Sequence, residues 1–458
     1  MKITNLNPAA DIGASAWHVE FEGRHLLLDA GVHPKRIGRA SLPLFRKLDG
    51  VDLDAIAISH CHLDHVGALP IAVRRHPHAQ VWMTEFSYFL VERVLQQLGQ
   101  RDDPAADEAG VREYPLFSHD EVENIAPVFE GARYNRPVEW AVPARPGCPH
   151  ASPTLEFFDS GHVLGSAGIL VQGARQRLFY TGDVCFQDQT LLKGARFDDV
   201  RADVLILETT RGEHPGKGDT RRPRELERLL ACIRATQQRK GSVLIPAFAL
   251  GRTQEILGQL ALWMSTGQLR RQPVYIGGLG RVFTEIYDLQ ARRTYRHHPG
   301  LSLHEGLSLQ VLDAADLASL KLTVPRLCVL TSGMVTENTA AHDLALRMFA
   351  EARHAICFVG YADPDTPGGR LKDSQPGQPF LFSASSGEVR RACEIHEFDL
   401  TAHADREELV EFVARVNPHV VVLGHGDPPA QEWFARELKR RNRRLRVLNP
   451  APGEQVET

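Results

Sequence analysis

Four side chains that can bind a metal ion lie close together near the start of the chain, in the segment Ser-His-Cys-His-Leu-Asp-His at residues 59–65. They are His60, His62, Asp64 and His65. Neutral imidazoles combined with a carboxylate form a donor set that suits Zn²⁺. A metal ion held in this way lowers the pKa of water and polarises an electrophile. The spacing therefore predicts a metal site capable of hydrolysis.

The segments around this cluster indicate how it is positioned. A strand-like run at 54–59 leads into it and a helix-like run at 66–74 follows, which predicts a loop at the carboxyl end of a buried strand. The same pattern of apolar run and polar loop recurs before His162, Asp183 and His425. A glycine directly precedes each of these three residues, as expected where a tight turn brings the backbone near a ligand.

This number of donors exceeds what one ion can bind in ideal geometry, so we expect two ions. The donors divide into His60, His62 and His162 on one ion, Asp64, His65 and His425 on the other, and Asp183 between them. Two Zn²⁺ ions roughly 3.5–4 Å apart can hold a bridging hydroxide and clamp the attacking and leaving oxygens of a phosphoryl displacement.

Length and composition limit the class of protein. A chain of 458 residues predicts two domains, or one domain with an insertion. No apolar run reaches eighteen residues and the N-terminus has no signal-peptide pattern, so we expect no membrane association. Seven scattered cysteines without a Cys-X-X-Cys motif favour a reducing cytoplasm. With a net charge of −4, binding of a polyanion would need a local positive potential.

Strand-like and helix-like runs alternate along nearly the whole chain, which predicts a layered α/β architecture. The amphipathic helix candidates are 224–234, 253–264, 338–350, 406–416 and 430–441. Residues 100–153 are rich in Pro, Gly and acidic side chains and predict an irregular insertion. The basic run 436–446 is either a solvated helix face or a contact for nucleic acid.

Motifs in the first half of the chain resemble those of a known fold. Asp29 in Leu-Leu-Leu-Asp-Ala-Gly, the cluster at 60–65, His162 and Asp183 are similar, in this order, to the motifs of the metallo-β-lactamase fold. The ligand arrangement described above agrees with that resemblance.

Later motifs narrow the resemblance to the β-CASP family of nucleases. Glu208 in Leu-Glu-Thr-Thr, His403 in Thr-Ala-His-Ala-Asp and His425 resemble the three motifs of that family. The segments at 246–255 and 360–370 are also similar to β-CASP stretches. The chain looks like a compact form of the RNase J and cleavage-and-polyadenylation-specificity type of ribonuclease, without a KH module or an extra C-terminal domain.

The resemblance implies an α/β fold in which an αββα metallo-β-lactamase sandwich carries an inserted, Rossmann-like β-CASP domain. The implied boundaries are 1–208 for the first part of the core, 209–380 for the β-CASP domain and 381–458 for the second part of the core. The active site would lie in the cleft between them. Two stretches depart from the family pattern, Thr209–Gly212 after the first motif and Gly277–Gly280 in the cassette.

The implied activity is that of a zinc-dependent phosphodiesterase that hydrolyses RNA with a hydroxide bound by two Zn²⁺ ions, Mn²⁺ being an alternative metal. Asp64 would bind a metal ion and orient the hydroxide, and Asp29 would steady a ligand histidine. His403 would be the general acid for the leaving 3′-oxygen, with Glu208 favouring its protonated form.

Phosphates away from the scissile bond need donors that carry little sequence information. Ser332, Gly333 and Met334 follow a strand-like run and could donate backbone N–H groups. Arg252 precedes a helix candidate. The N-terminus of that helix and the guanidinium of Arg252 could both face a phosphate. The alternative is that the glycines in these segments only make turns.

Other functions stay open at this stage. The substrate could be DNA instead of single-stranded RNA, and RNA cleavage could be endonucleolytic or proceed from the 5′ end. A thioesterase or lactonase on the same core would have no use for so large a cassette. A non-catalytic subunit of an RNA-processing complex would be expected to lack metal ligands, and every ligand position is filled here. A processing-complex partner or a homodimer is an expectation by analogy only.

Overall fold

The computed structural model describes residues 1–99, 116–140, 153–215, 221–383 and 386–458. The predicted irregular insertion lies outside the described residues at 100–115 and 141–152. Its middle part is regular, with a short helix at His119–Ile125. Ser118 caps that helix, because its hydroxyl accepts from the backbone N–H of Glu121 while the Glu121 side chain accepts from the backbone of Ser118.

The described residues form 22 strands. In chain order they are β1 (Lys2–Asn5), β2 (Trp17–Phe21), β3 (Arg24–Leu28), β4 (Ala55–Ala57), β5 (Gln80–Thr84), β6 (Phe129–Ala132), β7 (Val138–Glu139), β8 (Thr154–Asp159), β9 (Ala167–Gln172), β10 (Arg177–Tyr180), β11 (Val204–Glu208), β12 (Val243–Pro246), β13 (Pro273–Gly277), β14 (Ser308–Leu312), β15 (Leu327–Leu330), β16 (Ala355–Phe358), β17 (Pro379–Leu381), β18 (Glu388–Arg390), β19 (Glu394–Glu397), β20 (Val420–Gly424), β21 (Arg446–Leu448) and β22 (Gln455–Glu457).

Helices connect many of these strands. The α-helices are Leu63–Val66, Leu69–Arg75, Glu85–Gly99, His119–Ile125, Arg221–Gln238, Arg252–Ser265, Gly278–Leu289, Leu303–Gly306, Ala314–Ser319, Ala340–Phe349, Pro367–Asp373, Arg406–Val416 and Pro428–Arg441. Short 3₁₀ helices lie at Gly38–Ser41, Phe45–Leu48 and Ala126–Val128.

The chain divides into two compact units. The first contains Met1–Gln187, Gly194–Gly216 and His403–Thr458, and the second contains Asp188–Lys193 and Lys217–Ala402.

The first unit is built on two seven-stranded sheets. Their strand orders are β22-β1-β2-β3-β4-β5-β6 and β21-β20-β11-β10-β9-β8-β7. One apolar cluster joins them, with Val19 and Leu26 from the first sheet packed with Phe157 and Ile206 from the second. On its other face the second sheet packs against the helices Arg406–Val416 and Pro428–Arg441. Because each sheet alternates side chains between its faces, this arrangement buries both faces of the second sheet.

The second unit contains a six-stranded parallel sheet. Its order is β14-β13-β15-β12-β16-β19, and every neighbouring pair is parallel. Strand β19 lies after residue 380 in the sequence and pairs with β16. The sheet of this unit therefore continues to Glu397. The crossovers that parallel neighbours require are supplied mainly by helices, as in a Rossmann-like layer. The predicted α/β class is therefore confirmed.

Within the described ranges, none of the helices combines the length and apolar character that crossing a membrane would require.

Candidate metal centre

Residues of the first unit that were predicted to bind a metal ion or to steady a ligand follow the ends of its strands. Asp29 comes directly after β3, Asp183 follows β10 and His425 comes directly after β20. His60 and His162 follow β4 and β8 in the same way. Pairing of β11 with β20 sets Glu208 opposite Gly424, next to His425. Strand ends from two sheets thus bring distant parts of the sequence together.

Two glycines permit the close approach of these loops. Gly161 has a φ of +67°, and a Cβ there would lie 2.6 Å from the carbonyl oxygen of Cys185. Gly182 has a φ of +52°, and a Cβ would lie 2.8 Å from the Cβ of Ser59. A residue with a side chain would be strained at either position, and its Cβ would clash with these atoms. This explains the glycine before His162 and before Asp183.

One group of donors consists of His60, His62, His162 and Asp183, whose ligand atoms lie within 4.8 Å of one another. Nδ1 of His62 is 3.2 Å from Nε2 of His60 and 3.1 Å from Nε2 of His162. Oδ2 of Asp183 is 3.6 Å from Nε2 of both His60 and His162. Donors about 2.1 Å from a tetrahedral Zn²⁺ would be about 3.4 Å apart, so these separations fit such an ion.

A second group consists of Asp64, His65 and His425. The other carboxylate oxygen of Asp183, Oδ1, lies 3.4 Å from Nε2 of His65 and 3.4 Å from Nε2 of His425. Oδ2 of Asp64 lies 3.8 Å from the same nitrogen of His425. Asp183 therefore directs one oxygen toward each group of histidines.

The electrostatics of the centre favour metal ligands. Burial holds the pKa of His60 well below its usual value, which keeps the imidazole neutral. Burial opposes ionisation of Asp183, but the surrounding His425, His65 and His403 hold its pKa well below the usual range. Nε2 of His65 and Oδ1 of Asp183 are buried without a hydrogen-bond partner among the described residues. Buried polar atoms are rarely left in this state, and a divalent cation would satisfy both.

Asp29 lies behind this centre and orients one ligand. Its Oδ2 is 2.7 Å from Nδ1 of His65, from Oγ of Ser59 and from the hydroxyl of Tyr180, and its Oδ1 accepts from the backbone N–H of Ser59 at 2.6 Å. Burial, and then the Asp29 charge, hold the pKa of Tyr180 well above its usual value, so the phenol stays a donor. His65 donates from Nδ1 and turns Nε2 toward Asp183.

Sequence reasoning missed Ser59 and Tyr180. Both occupy the same kind of position as the predicted ligands, since Tyr180 ends β10 and Ser59 follows β4. The sequence therefore carried a positional signal for both residues, although neither is a common metal ligand.

His403 and Glu208 form a hydrogen-bonded pair beside the centre. Nδ1 of His403 is 3.2 Å from Oε2 of Glu208, whose Oε1 accepts from the backbone N–H of Val184 at 2.7 Å. Burial opposes protonation of His403, but the charge and hydrogen bond of Glu208 outweigh it and raise its pKa. About 20% of the His403 side chain is exposed, whereas Glu208 is buried. Arg211 contacts Asp405 in the neighbouring loop at 3.2 Å.

The residues predicted to bind phosphate lie in the second unit. Arg252 is buried, and its guanidinium donates to the side chain of Gln189 and to the carbonyl oxygen of Leu400. The Ser332 hydroxyl lies 2.8 Å from that of Thr336. Gly333 packs on the backbone of Phe248, where a Cβ would approach to 3.1 Å. Met334 accepts from the N–H of Gly368 through its carbonyl oxygen.

Comparison with protein families identifies the class that this fold and donor set define. Residues 10–247 match the metallo-beta-lactamase superfamily, and residues 388–450 match the Zn-dependent metallo-hydrolase RNA specificity domain. The first match spans more than half of the chain. The chain therefore belongs to the metallo-beta-lactamase superfamily.

Individual relatives agree with that assignment. The chain is 26% identical over 467 residues to cleavage and polyadenylation specificity factor subunit 3 of Dictyostelium discoideum, covering 98% of this chain and 56% of that protein. It is 26% identical over 449 residues to endoribonuclease YSH1 of Saccharomyces cerevisiae, covering 93% and 54%. The chain thus spans about half the length of these relatives.

A solved structure shares the fold over the whole chain. A protein of unknown function from Enterococcus faecalis V583 superimposes with a TM-score of 0.57 at 14% identity, covering 99% of each chain. Together these comparisons confirm the resemblance to the β-CASP nucleases and the predicted metallo-β-lactamase fold. The family and the His/Asp cluster support a site for divalent metal.

Proposed function

We propose that this chain hydrolyses phosphodiester bonds of RNA with two divalent metal ions, most naturally Zn²⁺ and alternatively Mn²⁺. The observation that carries the proposal is the Asp183 carboxylate, which directs one oxygen to each of two groups of histidines. RNA is favoured as the substrate for two reasons. Residues 388–450 match an RNA specificity domain, and one of the similar proteins is an endoribonuclease.

The proposed ligands of the first ion are His60, His62 and His162, and those of the second are Asp64, His65 and His425. Asp183 contributes to both. When bound, such ions lower the pKa of water and offset negative charge that develops on the phosphate. Asp64, part of the second group, would also orient the attacking water, and Asp29 would act through His65.

His403 is proposed as the general acid. Glu208 engages Nδ1 and stabilises the protonated imidazole, and Nε2 is the nitrogen that we assign as the proton donor to the leaving 3′-oxygen. The backbone N–H of Val184 fixes the Glu208 carboxylate at its other oxygen. Glu208 is therefore a positioning residue, and His403 is the residue that would touch the substrate.

Arg252, Ser332, Gly333 and Met334 stay predictions as phosphate-binding residues. Arg252 already donates to two protein groups, so phosphate would add to or replace these contacts. A partner in an RNA-processing complex is likewise proposed, because the similar Dictyostelium protein is a subunit of a cleavage and polyadenylation specificity factor. The predicted cytoplasmic location stays a prediction.

Cleavage of labelled nucleic acid tests this function. Single-stranded RNA labelled at the 5′ or the 3′ end, with single-stranded DNA alongside, would be incubated with wild type and His403→Ala, and metal content would be measured in each sample. His419→Ala is the matched control, because that side chain is 84% exposed in the same unit.

We expect wild type to cleave RNA in preference to DNA. His403→Ala should lose about 10²–10⁴-fold in rate while keeping its metal, and His419→Ala should match wild type. The label pattern separates internal cleavage from cleavage at the 5′ end. A fully metallated wild type that leaves RNA intact, or that prefers DNA, would overturn the proposal.

A further inference from the structure

Two cysteine sulfurs touch within the second unit. Sγ of Cys232, on helix Arg221–Gln238, lies 3.6 Å from Sγ of Cys357, on strand β16. Cys357 is fully buried, whereas Cys232 is partly exposed. Cys232 is thus the more accessible residue of the pair, and the buried Cys357 lies within contact distance of its sulfur.

Hydrogen bonds from neighbouring groups favour the thiolate form of Cys232. Cys357 and, against the effect of burial, His396 donate hydrogen bonds that lower the pKa of Cys232 to about 5. The contact with Cys232, together with Glu394 at 3.0 Å, raises the pKa of His396 to about 9. The hydrogen bond to Cys232 and burial raise the pKa of Cys357. Near neutral pH this describes a Cys232 thiolate, a His396 imidazolium and a Cys357 thiol.

The remaining neighbours stabilise this arrangement. Arg239 lies 2.8 Å from Glu394 and donates to the Thr236 hydroxyl, and Thr236 in turn contacts the Cys232 sulfur. Burial raises the pKa of Cys328, on β15 of the same sheet, to about 12, so that thiol is unreactive. Cys232 should therefore react faster than Cys328.

We propose that Cys232 and Cys357 form a dithiol that peroxide oxidises, with Cys232 reacting first and Cys357 resolving the product. In the first step the Cys232 thiolate attacks one oxygen of hydrogen peroxide, the O–O bond breaks, hydroxide leaves and the sulfur becomes a sulfenic acid. In the second step the Cys357 sulfur attacks that sulfur, the S–O bond breaks and water leaves with the thiol proton. The product is a disulfide between the helix and the sheet.

Oxidation of the native, full-length protein tests the proposal. Wild type, Cys232→Ser, Cys357→Ser and the matched control Cys328→Ala would be treated with hydrogen peroxide, and their masses and peptide maps compared. The rate of iodoacetamide alkylation at Cys232 would be followed from pH 5 to pH 9 in wild type and His396→Asn.

We expect wild type and Cys328→Ala to lose about 2 Da, reversibly with dithiothreitol, through a peptide that joins residues 232 and 357. Cys357→Ser should accumulate a sulfenic acid at Cys232 that dimedone traps. His396→Asn should slow alkylation at pH 6 at least tenfold. Peroxide reacting first at another cysteine, or alkylation of Cys232 rising only near pH 9, would overturn the proposal, whether or not the protein cleaves RNA.

Discussion

Nδ1 of His65 lies 2.7 Å from the carboxylate of Asp29, while Nε2 of the same ring lies 3.4 Å from Asp183. The contact fixes which nitrogen carries the proton and which faces the proposed metal. Because Asp29 also accepts from Ser59 and Tyr180, its position is fixed by three neighbouring side chains and not by His65 alone.

Asp29→Asn should weaken binding of the second ion about 10–100-fold, because an amide can present its NH₂ group to His65 and disturb the tautomer. Competition with a chromogenic chelator measures this affinity. Tyr180→Phe removes only one of the donors to Asp29 and should have a smaller effect. Equal affinity in Asp29→Asn and wild type would mean that Asp29 does not orient His65.

Glu208→Gln should lower kcat for RNA cleavage by about tenfold or more without changing metal content, since the neutral amide no longer stabilises protonated His403. Steady-state kinetics with metal analysis measures both quantities. Glu130→Gln, an exposed acid on β6, is the control. Loss of metal in Glu208→Gln would show instead that Glu208 supports the ligands.

The stability of the first unit should depend on pH through Asp159, at the end of β8. Burial raises the pKa of this carboxyl to about 7, against the hydrogen bond from the backbone of Gly161. The folded state therefore holds the proton that the unfolded chain releases near pH 4, and the stability that protonation provides is lost as pH rises toward 7.

Asp159→Asn removes this ionisation while retaining an acceptor for Gly161. The free energy of unfolding of the variant, relative to wild type, should increase by about 2–3 kcal/mol between pH 5 and pH 8. Urea unfolding of chelator-treated protein at the two pH values measures this difference. If the variant and wild type differ in free energy of unfolding by the same amount at pH 5 and pH 8, Asp159 is already ionised in the folded protein at pH 5.

Glu255 should be important for the stability of the second unit. Its buried carboxylate accepts from the backbone N–H groups of Thr190, Leu191 and Leu192. Glu255→Ala leaves these donors unsatisfied and should cost about 3 kcal/mol or more, whereas Glu255→Gln keeps one acceptor and should cost less. Urea unfolding measures the cost, with exposed Glu227→Ala as the control. A cost for Glu255→Ala no larger than the control's would contradict this role.

Much of the site could be predicted from the sequence because its donors follow a local rule. Each lies in a short loop after an apolar strand, and this pattern is visible without tertiary information. The helix predicted at 406–416 has the observed bounds, since its apolar spacing and the acidic cap at Asp405 are local signals. Sheet pairing then brings the loops together.

Contacts between distant residues could not be predicted in this way. Tyr180 reaches Asp29 across 151 residues of sequence, and Glu255 reaches Thr190 across 65. The segment 246–255 is similar to a β-CASP stretch, which indicated that Glu255 is important. The hydrogen-bond partners of Glu255 are visible only in the structure. Likewise, the position of Arg252 before a helix candidate does not reveal that its side chain is buried, and its role in phosphate binding stays a prediction.

The central claim is that RNA cleavage depends on two metal ions that share Asp183 as a ligand. A metal titration tests this claim most directly. Chelated wild type and Asp183→Asn would be titrated with Zn²⁺, or with Mn²⁺ in parallel, while bound metal and cleavage of labelled RNA are measured in the same samples. Wild type should gain activity as two ions per chain are bound, and Asp183→Asn should fail to retain both ions and stay inactive. Full activity in chelated protein, or no cleavage of RNA with two ions bound, would contradict the account.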